Sequence, residues 1–312
     1  MADSAVHEPD STSSVDSAAA VDAAVGVDAA AAVAPVPYID PVRRRFVRRR
    51  ARRDALIASV SLVGFAVLAV VLVGRSPGWP AVRSLFFDAG EFTSTLPEIA
   101  SAFWLNCRIF LVAEPAILVL ALLIALARGT TVPVLFPVRV LATVYADIFR
   151  AIPTILLVLL LGFGVPALNS DAIPADPVIW GTVALVLSYA AYVSEVFRAG
   201  IESVHPSQRA AARSIGLTTW QTSRFVVLPQ AVRRVVPPLL NDFISLQKDT
   251  ALVSVIGPIE ALRQAQIDSS LSFNFTPYVV AAVLFIVLTV PMTRLADWLA
   301  LRATRQRGQG GR

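Results

Sequence analysis

The chain has 312 residues, 56% of them apolar, with a mean hydropathy of +0.67 and a formal net charge of +5. Several spans of about 20 residues carry few or no charges, which fits a bilayer and excludes a soluble core. The arginines cluster at the ends of those spans, where membrane topology needs them, so the positive balance argues for membrane lipid as a neighbour and against nucleic acid. Cys107 is the only cysteine, which excludes an intrachain disulfide and a zinc cluster and leaves it as a small apolar residue. His7 and His205 are the only histidines, one in the N-terminal tail and one in a polar loop, which excludes a His metal site or a Ser-His catalytic pair.

Residues 1–42 carry seven acids, no Lys or Arg and little large apolar surface, a composition that predicts a disordered tail. Residues 43–101 then supply a basic segment, a first membrane helix and an external loop. The run from Arg43 to Arg53 holds eight arginines directly before the apolar stretch Ala55 to Gly74, an order that predicts a cytoplasmic N-terminus and an uncleaved helix. Attraction to anionic lipid, about 1 kcal/mol per arginine, is a second role for the run.

Five further spans follow at Ala102 to Ala127, Val138 to Phe163, Val178 to Phe197, Val235 to Gly257 and Pro277 to Leu301, giving an all-α membrane protein of about six transmembrane helices with both termini inside. The charges sort accordingly. The 199–234 connection holds five arginines and the basic tail 302–312 four, whereas Val165 to Pro177 has none and Pro258 to Thr276 only Arg263. Arg75 to Ser101, with two arginines over a greater length, weakens this bias without reversing it.

The 199–234 loop is therefore cytoplasmic, and it is patterned. Pro206 and Ser207 mark a helix start, Gln208 to Ile215 favours helix, and Gly216 suits a left-handed C-terminal cap. Thr218 or Thr219 then caps a second short helix through Trp220 and Phe225, which Leu228-Pro229 should stop. Trp220 and Phe225, ringed by Arg209, Arg213 and Arg224, read either as anchors for a partner protein or as members of the headgroup aromatic belt.

Costly charges lie inside the spans. Asn241, Ser245 and Lys248 fall on one helical face with Asp249 and nearly with Asp242, a polar stripe on an apolar helix. Lys248 is the only lysine, and a mid-membrane charge costs roughly 2.5–3.5 kcal/mol, so it needs a partner or a wet cavity. Glu114, followed by Pro115, is the other costly charge, with Lys248 as one neutralising partner. The stripe reads as a translocation path or as a Lys-Asp pair that locks helix packing. Arg108, Glu195, Arg198, Arg294 and Asp297 lie nearer span ends, where snorkelling or an i, i+3 pair such as Glu195 with Arg198 accounts for them.

The segment from Ala190 to Gly257 resembles the signature of the permease subunit of type I ABC importers for polar amino acids. Its centre is the EAA loop of that family, whose acid, two alanines, glycine and Leu-Pro fall on Ala210, Ala211, Ala212, Gly216, Leu228 and Pro229. YADIFRAIPT, from Tyr145 to Thr154, is similar to the FR-x-x-P segment of the amino-acid branch, which makes Arg150 and Pro153 signatures of that branch. The resemblance spans residues 102–301 and implies a five-helix core preceded by an extra helix. It also implies a bacterial plasma-membrane location, two ATP-binding subunits, a second permease subunit (identical or not) and an extracytoplasmic solute-binding protein.

The one departure is Ala210, where the family carries an acid that helps to hold the ATPase. An exposed ion pair is worth about 0–1 kcal/mol, so the missing acid puts a charged contact in question and not the docking, which helix shape and apolar contacts at Ile215, Leu217 and Trp220, beside Arg209, are expected to carry. The chain has no P-loop, because its sole lysine lies in SLQKDT; ATP and Mg are expected on the partner ATPase, with no cofactor and no catalytic site in this chain. The rival readings are a secondary transporter or channel with a Glu114, Lys248 and Asp249 relay, and a membrane scaffold.

Overall fold

The computed structural model describes residues 41–130 and 132–309, with side chains placed from 53 to 130 and from 132 to 299. The predicted acidic tail up to residue 40 and the last three residues lie outside the described residues. Among the described residues the regular structure is helical throughout.

The chain divides into two compact units, Met1–Ser76 and Pro77–Arg312. The first contains α1, Pro41–Gly74, whose stretch Arg53–Gly74 is long and apolar enough to cross a membrane. No side chain on that stretch is buried, and Leu56, Val60, Phe65 and Val70 all stand exposed. A helix apolar on every face is stable in lipid.

The second unit runs α2 (Trp79–Phe86), α3 (Ala89–Gly129), α4 (Phe136–Ala151), α5 (Thr154–Gly164), α6 (Pro177–Glu202), α7 (Pro206–Ser214), α8 (Thr219–Thr222), α9 (Leu228–Asp249), α10 (Ala261–Ser272) and α11 (Thr276–Gln309). Among the described residues, four helical stretches are long and apolar enough to span a bilayer, or five when the bent pair Pro133–Ala151 and Thr154–Leu168 is one span.

The core lies where α3, α5 and α6 meet the end of α9. Ile109, Ala113 and Ile117 of α3, Val158 of α5, Leu185 and Ala190 of α6, and Leu246, Val253 and Ile256 form one buried cluster. Small residues allow this closeness: a Cβ at Gly162 would lie 2.5 Å from Ile256 Cδ1. A second cluster, Ile99, Ala261, Ala265, Val280 and Ala281, ties α10 to α3 and α11. Leu111, Val112, Val119 and Leu123 stay exposed on α3, a surface suited to lipid or a second membrane subunit.

Three predicted spans differ from the structure. Val138 to Phe163 is not straight: its two halves bend by 103° at Ile152 and Pro153. Pro153 has no N–H, and Ile152 before it is extended (φ −85°, ψ 126°). Tyr192 Oη of α6 donates to the carbonyl of Arg150 at 3.0 Å, giving a partner to a group the broken ladder frees. Helix α3 begins at Ala89, inside the predicted loop, because Asp88 accepts from the N–H groups of Gly90 (2.8 Å) and Glu91 (3.1 Å). Val235 to Gly257 is α9 followed by a tight 3-10 turn, Thr250–Ile256, that ends at Gly257 with φ +112°.

Candidate coupling loop and polar stripe

The polar loop folds as two short helices at a glycine. His205 caps α7, its Nδ1 accepting from Ser207 N–H at 3.2 Å, with Pro206 in the first turn; the predicted Pro206-Ser207 start thus has His205 as its capping residue. At the far end Gly216 takes φ +89° and donates to Arg213 O (3.0 Å), while Leu217 N–H donates back to Ala212 O (3.2 Å). That pair of bonds is a Schellman closure, and its left-handed residue is the predicted glycine.

Thr218 then caps α8 with a reciprocal pair. Its Oγ1 accepts from Gln221 N–H at 3.2 Å, and Gln221 Oε1 accepts from Thr218 N–H at 2.9 Å. Leu228-Pro229 does not stop the helix, contrary to the sequence expectation. Ser223–Val227 widens into a π turn in which Leu228 N–H reaches Ser223 O, and Pro229 falls in the first turn of α9, where its missing N–H costs nothing.

Ile215 (79% exposed), Trp220 (72%), Phe225 and Leu228 project from this loop, Leu217 is half-buried, and Ala212 is buried beneath. Ala210 and Ala211 are exposed, so the position of the family's acid faces outward. Arg209 donates to Ile201 O at 2.9 Å, Arg234 to Ser203 O, and Arg213 to Thr219 Oγ1, which fasten the loop to the end of α6 and to itself. Arg224 lies 5.9 Å from the centre of the Phe225 ring. Between the loop and the end of α3 is a groove of about 530 Å³, lined by Leu126, Ile201, Arg213, Trp220 and Leu228 among others. The surface offers apolar anchors in a basic frame, the make-up of a protein-docking site.

The pattern of the binding-protein-dependent transport system inner membrane component family matches residues 117–305, more than half of the chain and the whole of this loop. The chain belongs to that family. The permease is 36% identical over 187 residues to the probable glutamine ABC transporter permease protein GlnM of Bacillus subtilis (strain 168), covering 59% of this chain and 83% of that protein. It is 30% identical over 207 residues to the arginine transport system permease protein ArtQ of the same organism, covering 65% and 92%. The crystal structure of an amino acid ABC transporter with histidines superposes with TM-score 0.63 at 32% identity, over 69% of the permease and 98% of that chain. Inward-facing MetNI methionine ABC transporter shares the fold, with TM-score 0.53 at 19% identity over 66% of the permease and 95% of that chain.

The polar stripe of the permease is real as a face but not as a set of paired charges. Asn241 and Lys248 are exposed on α9 and Ser245 is half-buried. Asp249 is taken by α6, accepting from Tyr189 Oη at 2.7 Å. The pairing of Glu114 with Lys248 does not form: neither residue belongs to an ion pair among the described residues. Glu114 is half-buried on α3, and on α9 Asp242 and Lys248 lie about 120° apart.

Two clusters were beyond the sequence reading. Arg128, Arg150 and Arg198 all converge on Glu195; the i, i+3 rule gives only the last of these. At the other end of the permease, Asn106 Nδ2 donates to Glu260 Oε2 (2.9 Å) and Thr250 Oγ1 (3.1 Å), while its Oδ1 accepts from Ala261 N–H (3.2 Å). Glu260, fully buried, caps α10 by accepting from Leu262 and Arg263 N–H. Burial pushes its carboxyl up, against the hydrogen bonds from Leu262, Asn106 and Arg263 that pull it down. An acid directly before ALRQ is a legible cap; Asn106, 154 residues away, gives no such signal.

Proposed function

We propose that this permease forms the translocation pathway of an importer for polar amino acids and is driven by a separate ATPase docked on its 199–234 loop. The observation that carries the reading is that loop: a helix closed at Gly216, a second helix capped at Thr218, and Ile215 and Trp220 held out from the surface. Relatives named for glutamine and arginine transport support the substrate class.

In this reading two ATP-binding subunits hold ATP and Mg, a second permease completes the pathway, and an extracytoplasmic binding protein delivers the amino acid. The charge bias of the loops supports a cytoplasmic position for both termini and the 199–234 loop, and the family supports a bacterial cell membrane. Arg209, Ala210, Ala211, Ala212, Ile215, Gly216, Leu217, Trp220, Leu228 and Pro229 make up the docking segment, and Asn241, Ser245, Lys248, Asp249 and Glu114 border the path. ATP and amino acid move the access equilibrium only through their different affinities for its two states.

Trp220 tests the docking surface. Trp220→Asp puts a charge on an exposed anchor without disturbing the core, so the permease should accumulate normally yet lose its ATPase on affinity purification. Full retention of the ATPase by that variant would remove Trp220 from the interface.

A further inference from the structure

The ends of two helices meet at one carboxylate of a third. Arg128, in the last turn of α3, donates to Glu195 Oε2 at 2.8 Å, and Arg150, in the last turn of α4, lies 3.4 Å from the same oxygen. Arg198, one turn on along α6, holds Oε1 and also pairs with Glu202 at 2.6 Å. Arg128 is only 11% exposed, so its charge depends on Glu195 and not on water. Tyr192 Oη, one turn before the hub, adds a bond to the Arg150 carbonyl at 3.0 Å.

The hub adjoins the loop. Seven residues beyond Glu195 the helix ends at Glu202, and Arg209 and Arg234 grip the carbonyls of Ile201 and Ser203 there. Leu126, one half-turn from Arg128, lines the loop's groove together with Ile201. A push on the loop therefore reaches the last turn of α6 first and Glu195 next. Pulling the end of α3 away leaves Arg128 poorly solvated and without its counter-ion, whereas Arg150, 39% exposed, keeps access to water.

We infer that Glu195 is a positioning residue of the coupling machinery: its carboxylate clamps the ends of α3 and α4 to α6, so that displacement of the 199–234 loop moves all three helices together. This rests on the importer reading above. Charge, not side-chain size, is what the clamp uses. Glu195→Gln keeps the size and removes the charge, and Glu195→Asp keeps the charge on a shorter stem.

The test uses proteoliposomes holding the permease, as a homodimer or with a second permease chain, together with its ATPase subunits and solute-binding protein. Labelled arginine, glutamine and glutamate are supplied in turn, and uptake is divided by ATP hydrolysed. Glu195→Gln should assemble and hydrolyse ATP while its uptake per ATP falls roughly tenfold, the scale of one lost charge-assisted contact. Glu195→Asp should recover most of that ratio. A Glu195→Gln complex with the wild-type ratio, or a ratio better preserved by Gln than by Asp, overturns the clamp. Should Glu195→Gln not assemble, Arg150→Gln, which removes the α4 ion pair alone and keeps the Tyr192 bond, should still lower the ratio, and an unchanged ratio there overturns the proposal. Wild-type vesicles that carry none of the labelled amino acids on ATP overturn the importer reading itself and the clamp with it.

Discussion

Gly200 shows how much a single position can fix. A Cβ there would lie 2.0 Å from Val235 Cγ2, so at this level α6 and α9 come so close only because the residue has no side chain. Gly200→Ala should therefore destabilise the permease by about 1–3 kcal/mol, read as a lower melting temperature in detergent, because valine is too short and stiff to swing away. Adding Val235→Ala should restore most of the loss, and an unchanged melting temperature in the single variant would contradict the contact. Sequence alone marks neither residue, since their meeting depends on how two distant helices pack. Gly216 is the opposite case: its left-handed conformation is set by the helix it ends, so local pattern sufficed to find it. The same division separates Glu195 from its partners. Arg198 sits on the same helix face and was legible, whereas Arg128 and Arg150 arrive from other helices.

At the scale of elements, the 199–234 loop is held by its own caps and by bonds to the end of α6. Gly216→Pro attacks that design at its joint. Proline cannot take φ +89°, and it removes the N–H that Gly216 gives to Arg213 O. The variant should keep its membrane helices and lose the angle between α7 and α8, so that ATP hydrolysis continues without uptake; unchanged uptake in the reconstituted complex would refute that role. Apolar length and charge bias were enough to locate most of the membrane helices. They missed the 103° bend in the third span, although Pro153 was in view, because apolar length carries no direction. Leu228-Pro229 was misread for a related reason. Proline is compatible with both the end of one helix and the first turn of the next, and the π turn before it decides between them.

For the whole molecule, the proposed cytoplasmic placement of the loop rests on arginine counts and can be tested directly. In a Cys107→Ser background expressed without the ATPase, Ser214→Cys should react with a membrane-impermeant maleimide in inside-out vesicles only, and Ser170→Cys in right-side-out vesicles only. The reverse pattern would invert the topology. Fold and family were legible because they rest on long apolar spans and one contiguous motif. The proposed translocation path was less so: its charges were visible, but Asp249 accepts from Tyr189 Oη, a contact that only the packed structure reveals. The central claim is that transport draws its energy through a partner at the loop. Its most direct test is uptake of labelled arginine, glutamine and glutamate into proteoliposomes containing the permease complex and the binding protein, with and without the ATPase. Accumulation of at least one amino acid that requires both ATP and the ATPase is the predicted result. Accumulation by the permease without the ATPase, driven by an ion gradient, would contradict it.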